Sequence, residues 1–157
     1  MSARAETLVA YYERVYEERF RDLPIVNSEL EVEAVGMREL DEHAFGVLIT
    51  PWFMNLVLLP GSDRWDDRPQ GGTCMVELPG GKLEFTIGHD EILGTTFTAP
   101  LFSTVSAFAG QDIAREVATE TLRLLFEEHP VEPPGEGSNM SRRDLFRRLG
   151  AGGDGTA

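Results

Sequence analysis

Three histidines, one cysteine and 27 acidic side chains are the groups in this sequence that could carry chemistry. His89-Asp90-Glu91 sets an imidazole beside two carboxylates, a combination suited to acid–base catalysis or metal ligation. The same triplet also makes an ordinary polar turn between strands, which is the more economical reading. His43 and His129 fall near loops or element ends and lack the i,i+4 spacing that places two ligands on one helical face. Cys74 cannot form an internal disulfide, and no CxxC or Cys/His cluster accompanies it to hold zinc. Following Gly71-Gly72-Thr73, it reads as a small half-buried residue rather than a reactive thiol. Gly80-Gly81-Lys82 lacks the spacing of a phosphate loop, and no GxSxG elbow occurs. No catalytic set, metal site or cofactor loop emerges, which does not exclude an enzyme but offers no residues on which to base one.

Recognition is the chemistry that remains. Pro51-Trp52-Phe53-Met54-Asn55 is the densest aromatic stretch, and Leu101, Phe102 and Phe108 form a second cluster after Pro100. Exposed aromatics and methionine suit the binding of partly folded polypeptide, because they bury large area and adapt in shape. Core packing is the other role for such residues. For Trp52 and Phe53 both roles stand open, since Pro51 places them beside a strand rather than inside it.

The elements that must position these residues follow from periodicity. Residues 5–20 place Leu8, Tyr11, Tyr12, Val15, Tyr16 and Phe20 on one helical face, with Glu13, Arg14, Glu17 and Glu18 on the other. Leu30, Val32 and Ala34 alternate with glutamates through residues 29–36, predicting a strand with one wet face. Residues 45–49 and 56–59 are continuous apolar runs, as in strands buried on both sides, and Thr50–Asn55 predicts a bulge or tight connection between them. A long polar loop over 60–73 precedes a hairpin of 75–78 and 83–87 around a glycine turn, and a further strand is expected near 92–98. A second helix over 111–128 turns Ile113, Ala114, Val117, Ala118, Thr121, Leu122 and Leu125 to one side. The fold class is α+β, a mostly antiparallel sheet of about five or six strands packed by terminal helices. The domain is expected over 1–128, with a flexible linker and basic tail over 129–157.

Charge narrows the partners. Residues 1–137 carry 10 basic and 25 acidic side chains, whereas 138–157 carry four arginines against Asp144 and Asp154. An acidic body repels nucleic acid and anionic lipid and attracts basic peptides. No apolar run approaches the roughly 20 residues of a spanning helix, and the N-terminus is not a signal peptide, so a cytoplasmic location without membrane insertion is expected.

The blocks LPIVNSELEVEAVGM (23–37), GVLITPWFMNLVLLPG (46–61) and LPGGKLEFTIG (78–88) resemble, in order and spacing, the nickel–iron hydrogenase assembly chaperones of the HybE/HupJ type. The resemblance covers residues 8–128, and its ITPWFMNLVLLPG block is long and unusual. It implies a cytoplasmic helper without catalytic residues or metal, which associates with the hydrogenase large subunit or the small-subunit precursor. That precursor bears a twin-arginine signal, and the helper is thought to hold back its export until assembly is complete. Pro51, Trp52, Phe53, Met54 and Asn55 then become candidate contacts, joined by Leu101 and Phe102. A general adaptor for basic signal peptides is the alternative; a small enzyme using His89 or Cys74 is the third reading.

Ser141-Arg142-Arg143-Asp144-Leu145-Phe146-Arg147 is itself similar to a twin-arginine signal core, with Phe and Leu exchanged and Arg in place of Lys. It lies at the wrong end for export, and LGAGGDGTA lacks the apolar stretch of about 7–15 residues that a signal needs. A short capped helix explains Ser141, Asp144 and Gly150 equally well. The two roles are compatible. One reading is a tail that imitates a client signal and occupies the same acidic, aromatic groove, shielding it or swapping between two copies in a homodimer; an inert basic tail is the other.

Overall fold

The computed structural model describes residues 3–40, 42–61, 68–102 and 104–127, with no side-chain placement for residue 40. Helix α1 runs Ala3–Val15 and continues as one π-helical turn, Tyr16–Phe20, closed by the Arg21 amide on the Tyr16 carbonyl at 2.8 Å. Six strands follow: β1 Glu33–Leu40, β2 His43–Thr50, β3 Phe53–Leu59, β4 Thr73–Leu78, β5 Gly81–Asp90 and β6 Gly94–Phe102. Helix α2, Gln111–Phe126, comes last. The strands form one antiparallel sheet in the order β1-β2-β3-β6-β5-β4. The expected fold class holds.

The sheet has two dissimilar faces. Phe45, Val47 and Ile49 of β2, Met54, Leu56 and Leu58 of β3, and the matching residues of β5 and β6 form the larger core with Ala114, Ala118, Leu122 and Leu125 of α2. Leu48, Val57 and Leu59 point the other way and meet Leu8 of α1. Strands β2 and β3 are therefore apolar at nearly every position because each face carries a helix. Beyond β3 the second face opens: Thr73 and Met75 on β4, Glu84 and Thr86 on β5, and Pro100 on β6 are exposed. The tip of the β5–β6 hairpin closes over α1. The Asp90 carboxylate there accepts the amides of Ile92 (2.7 Å) and Leu93 (3.0 Å) and the Tyr11 hydroxyl (3.0 Å). Burial alone would raise the Asp90 pKa, yet these three donors bring it below its ordinary value.

Helix α2 lies along β1 from its start. Arg115 donates to both Glu33 carboxylate oxygens at 3.0 Å, and Gln111 adds a bond of 2.8 Å. Farther along, a Cβ on Gly36 (φ 65°) would come within 2.4 Å of Leu122, so the bulge between Val35 and Arg38 needs glycine. At the helix C-terminus the Gly80 amide donates to the Leu125 carbonyl at 2.8 Å, and a Cβ there would meet the Leu124 carbonyl at 2.7 Å.

Three sequence expectations shift. The first strand begins at Glu33, not 29, because the Glu31 backbone pairs with the side-chain amide of Gln111 instead of a strand. Leu30 and Val32 are buried as expected, but in opposite cores. Ile113 is exposed, and Leu124 takes a place in the core instead. The whole of the expected tail, 129–157, lies outside the described residues.

The Glu33 clamp has a definite pH signature. Desolvation would raise its pKa, but hydrogen bonds from Arg115 and Gln111 and the Arg115 charge outweigh that and lower it. A lowered folded-state pKa stabilises the fold above the ordinary carboxylate range, and the contribution disappears as pH falls through the lowered value. Urea midpoints of wild type and Glu33→Gln are therefore expected to differ most near neutral pH and to converge below about pH 4. A gap that stays constant with pH contradicts the clamp.

Candidate functional site

The β2–β3 connection is a two-residue turn, Pro51-Trp52, between the paired residues Thr50 and Phe53. The fully buried Thr50 hydroxyl organises it by accepting the amides of Trp52 (3.2 Å) and Phe53 (3.0 Å). Asn27 fixes it from outside. The Asn27 amide donates to the Pro51 carbonyl at 2.7 Å, and its side-chain nitrogen donates to the carbonyls of Val105 and Phe108, both at 2.9 Å. One residue thus joins the turn bearing Trp52 to the segment bearing Phe108, which packs edge-on against Phe102 at 5.3 Å.

On this frame the aromatics form a continuous ladder. Trp52 stacks on Phe20 with ring centroids 4.4 Å apart and planes within 4°, and on Tyr16 at 6.1 Å and 9°. Phe53 meets Trp52 edge-on at 5.4 Å and Tyr12 at 5.6 Å. The π-helical turn contributes directly, since Tyr16 and Phe20 are its two ends. All five rings are half-buried. Beside them the chain turns through Leu23-Pro24-Ile25, where Leu23 is 42% and Ile25 57% exposed. Glu17 is paired to Arg21 at 2.8 Å, whereas Glu13, Glu18 and Asp22 make no ion pair among the described residues. The result is a greasy apron, built of rings and branched side chains.

Of the residues expected to make contacts, Trp52, Phe53, Asn55 and Phe102 reach solvent in part. Pro51, Met54 and Leu101 do not; Met54 and Leu101 fill the α2-side core. Trp52 and Phe53 combine both readings, packed on one side and open on the other. The apron also includes residues that sequence reasoning passed over, Leu23 and Ile25. Their signal was the apolar pair flanking Pro24, which no strand or helix pattern claims. The tail residues Ser141, Arg142, Arg143, Leu145, Phe146 and Arg147 lie outside the described residues.

Nothing at these positions is prepared for catalysis. Both ring nitrogens of His89 are engaged, Nδ1 with the Thr95 hydroxyl at 3.1 Å and Nε2 with the Arg68 carbonyl. His43 Nδ1 accepts the Gly61 amide at 3.0 Å, and Cys74 Sγ lies 3.7 Å from the Met75 carbonyl. Burial drives the Tyr12 hydroxyl above its ordinary pKa, helped by Tyr11 and Asp90, so it is no base. No group of three His, Cys, Asp or Glu is placed to hold a metal among the described residues. An open depression of about 180 Å³ beside Arg4, Arg38 and His43 encloses no ligand-sized space, and the Arg4 guanidinium there bonds the Pro60 carbonyl.

Residues 3–148 match the family model described as NiFe-hydrogenase assembly, chaperone, HybE. The chain belongs to the HybE family of nickel–iron hydrogenase assembly chaperones. It is 41% identical to the hydrogenase expression/formation protein HupT of Azotobacter chroococcum mcd 1, over 91% of this chain and 93% of that one. It is 35% identical to the hydrogenase expression/formation protein HupJ of Bradyrhizobium diazoefficiens, over 94% and 92%. The solution structure of HybE from Escherichia coli shares the fold with a TM-score of 0.65 at 21% identity, covering 85% of this chain and 83% of that one. The HybE family consists of chaperones rather than enzymes. Among the described residues of this HybE-family chain, no helix is long and apolar enough to cross a membrane.

Asn27 makes the apron's geometry testable. Asn27→Asp keeps the shape but removes both side-chain donors and turns a carboxylate toward two carbonyls. A stability loss of about 2–4 kcal/mol is expected by urea unfolding, with loosened aromatic packing in near-ultraviolet circular dichroism. A loss below about 0.5 kcal/mol with an unchanged spectrum means that Asn27 does not hold the turn.

Proposed function

We propose that this assembly chaperone holds an immature hydrogenase subunit, foremost the small-subunit precursor with its twin-arginine signal, on the apron of Phe20, Leu23, Ile25, Trp52 and Phe53. Export then waits in the cytoplasm until the subunits have paired. The observation that carries this reading is the coexistence of tight fixation and exposure at one turn: Thr50 and Asn27 lock the backbone while Trp52 and its neighbours stay half open. A fixed aromatic surface loses little conformational entropy on binding, so its buried area contributes more fully to affinity. Arginine guanidinium groups stack on aromatic faces and pair with carboxylates, and both are present here. The large subunit remains a second partner of the same assembly, through surfaces that the family relationship does not specify.

The test is capture of the precursor. Full-length chain and a Leu23→Ser/Ile25→Ser/Trp52→Ala variant are each co-expressed with a hydrogenase small-subunit precursor and purified. Circular dichroism confirms that both are folded, and Leu23→Ser/Ile25→Ser alone, which touches only exposed side chains, guards against misfolding. Recovery of precursor is expected to fall about tenfold or more, because exposed anchors of this kind are each worth about 1–2 kcal/mol. Undiminished recovery overturns the reading.

A further inference from the structure

Resting on the reading of the apron as a signal-binding surface, we propose that Arg142-Arg143-Asp144-Leu145-Phe146-Arg147 of the same chain docks there and competes with the client. Three observations support this occupant. The first is chemistry. Exposed Leu23 and Ile25 and the half-open rings of Phe20 and Trp52 match the Leu145-Phe146 pair. On the exposed side of the same stretch of chain, Glu13, Glu18 and Asp22 make no ion pair among the described residues and are open to guanidinium groups. Arg14 and Arg19 lie on the same stretch, so local charge alone does not decide the matter; the excess of acid across residues 1–137 adds a longer-range pull on four clustered arginines.

The second observation is where the chain leaves the described fold. Helix α2 begins beside the apron, its Gln111 bonded to the Glu31 backbone at 2.9 Å, and ends at Phe126 against Phe45 and the Gly80 turn. Its 16 residues carry the exit point about 24 Å from where it started. Arg142 follows Glu127 by 15 residues, a tether of about 20 Å root-mean-square length as a coil and about 50 Å when extended. Extended, the tether is about twice as long as that helix, so the tail can reach back to the apron, and a flexible linker of this length gives an effective concentration in the millimolar range.

The third is sequence design. The segment between, HPVEPPGEGSN, is rich in proline and glycine and carries no apolar pattern of its own, while the six residues 142–147 hold three arginines and two large apolar side chains. A weak contact made at millimolar effective concentration covers the apron without closing it, so a tighter client displaces the tail.

The experiment compares the full-length chain with a full-length variant carrying Arg142→Ala, Arg143→Ala, Leu145→Ala and Phe146→Ala, all outside the described residues. In amide and indole NMR spectra, differences are expected at the Trp52 indole and across residues 16–25, independent of protein concentration. Differences confined to the substituted residues overturn the proposal, and differences that grow with concentration replace it with exchange between two copies. A synthetic peptide bearing Ser-Arg-Arg-x-Phe-Leu-Lys is then titrated into both. The variant is expected to bind it about three- to tenfold more tightly, the factor that a weak tethered competitor imposes. Equal affinities sink the competition and leave the apron's role intact. No binding to either chain refutes the apron as a signal site, while the NMR comparison still decides whether the tail docks.

Discussion

The side-chain amide of Asn27 has two N–H bonds, and both point at carbonyls of the segment joining β6 to α2, while its own backbone amide holds the Pro51 carbonyl. Three stretches far apart in sequence meet at this residue. Buried carbonyls without donors are costly, so the arrangement strongly favours one placement of the β2–β3 turn. Thr50 then fixes the direction of Trp52 and Phe53 from within the hairpin. The aromatic apron depends on this constraint, because a hairpin turn fastened only by its strands would fray.

The sheet below serves the same end. Strands β2 and β3 carry helices on both faces, which makes the hairpin under Trp52 the most deeply packed part of the molecule. A π-helical turn at the end of α1 brings Tyr16 and Phe20 flush with the Trp52 ring. Half-open rings are costly to leave in water, and their stacking on one another recovers part of that cost while leaving one side free. A chaperone for an incompletely assembled subunit needs such a surface, apolar enough to hold a chain and rigid enough not to reshape around every peptide.

Much of this was legible in the residues. The continuous apolar runs at 45–49 and 56–59 marked the doubly covered strands, and the aromatic stretch at the turn marked the surface proposed as the site. What failed to show was set by contacts distant in sequence. Gln111 captures the backbone of Glu31 and so delays β1, an interaction that alternation in residues 29–36 cannot report. Met54 and Leu101 belong to strands whose alternation points them toward α2, and their chemical kinship with Trp52 and Phe102 concealed that difference. Ile113 fits the apolar period of α2 yet stays exposed. Leu23 and Ile25 looked like loop residues and became part of the surface only because Asn27 folds their turn against Pro51.

The central claim is that the rigid, half-open apron is where an immature hydrogenase chain is held. Hydrogen–deuterium exchange of the full-length protein, alone and with a hydrogenase small-subunit precursor, measures this most directly. The account predicts new protection over residues 16–27 and 50–53, with the outer face of α2 unchanged. Protection that appears on α2 or at the β1–β2 end, and leaves those two stretches untouched, contradicts it.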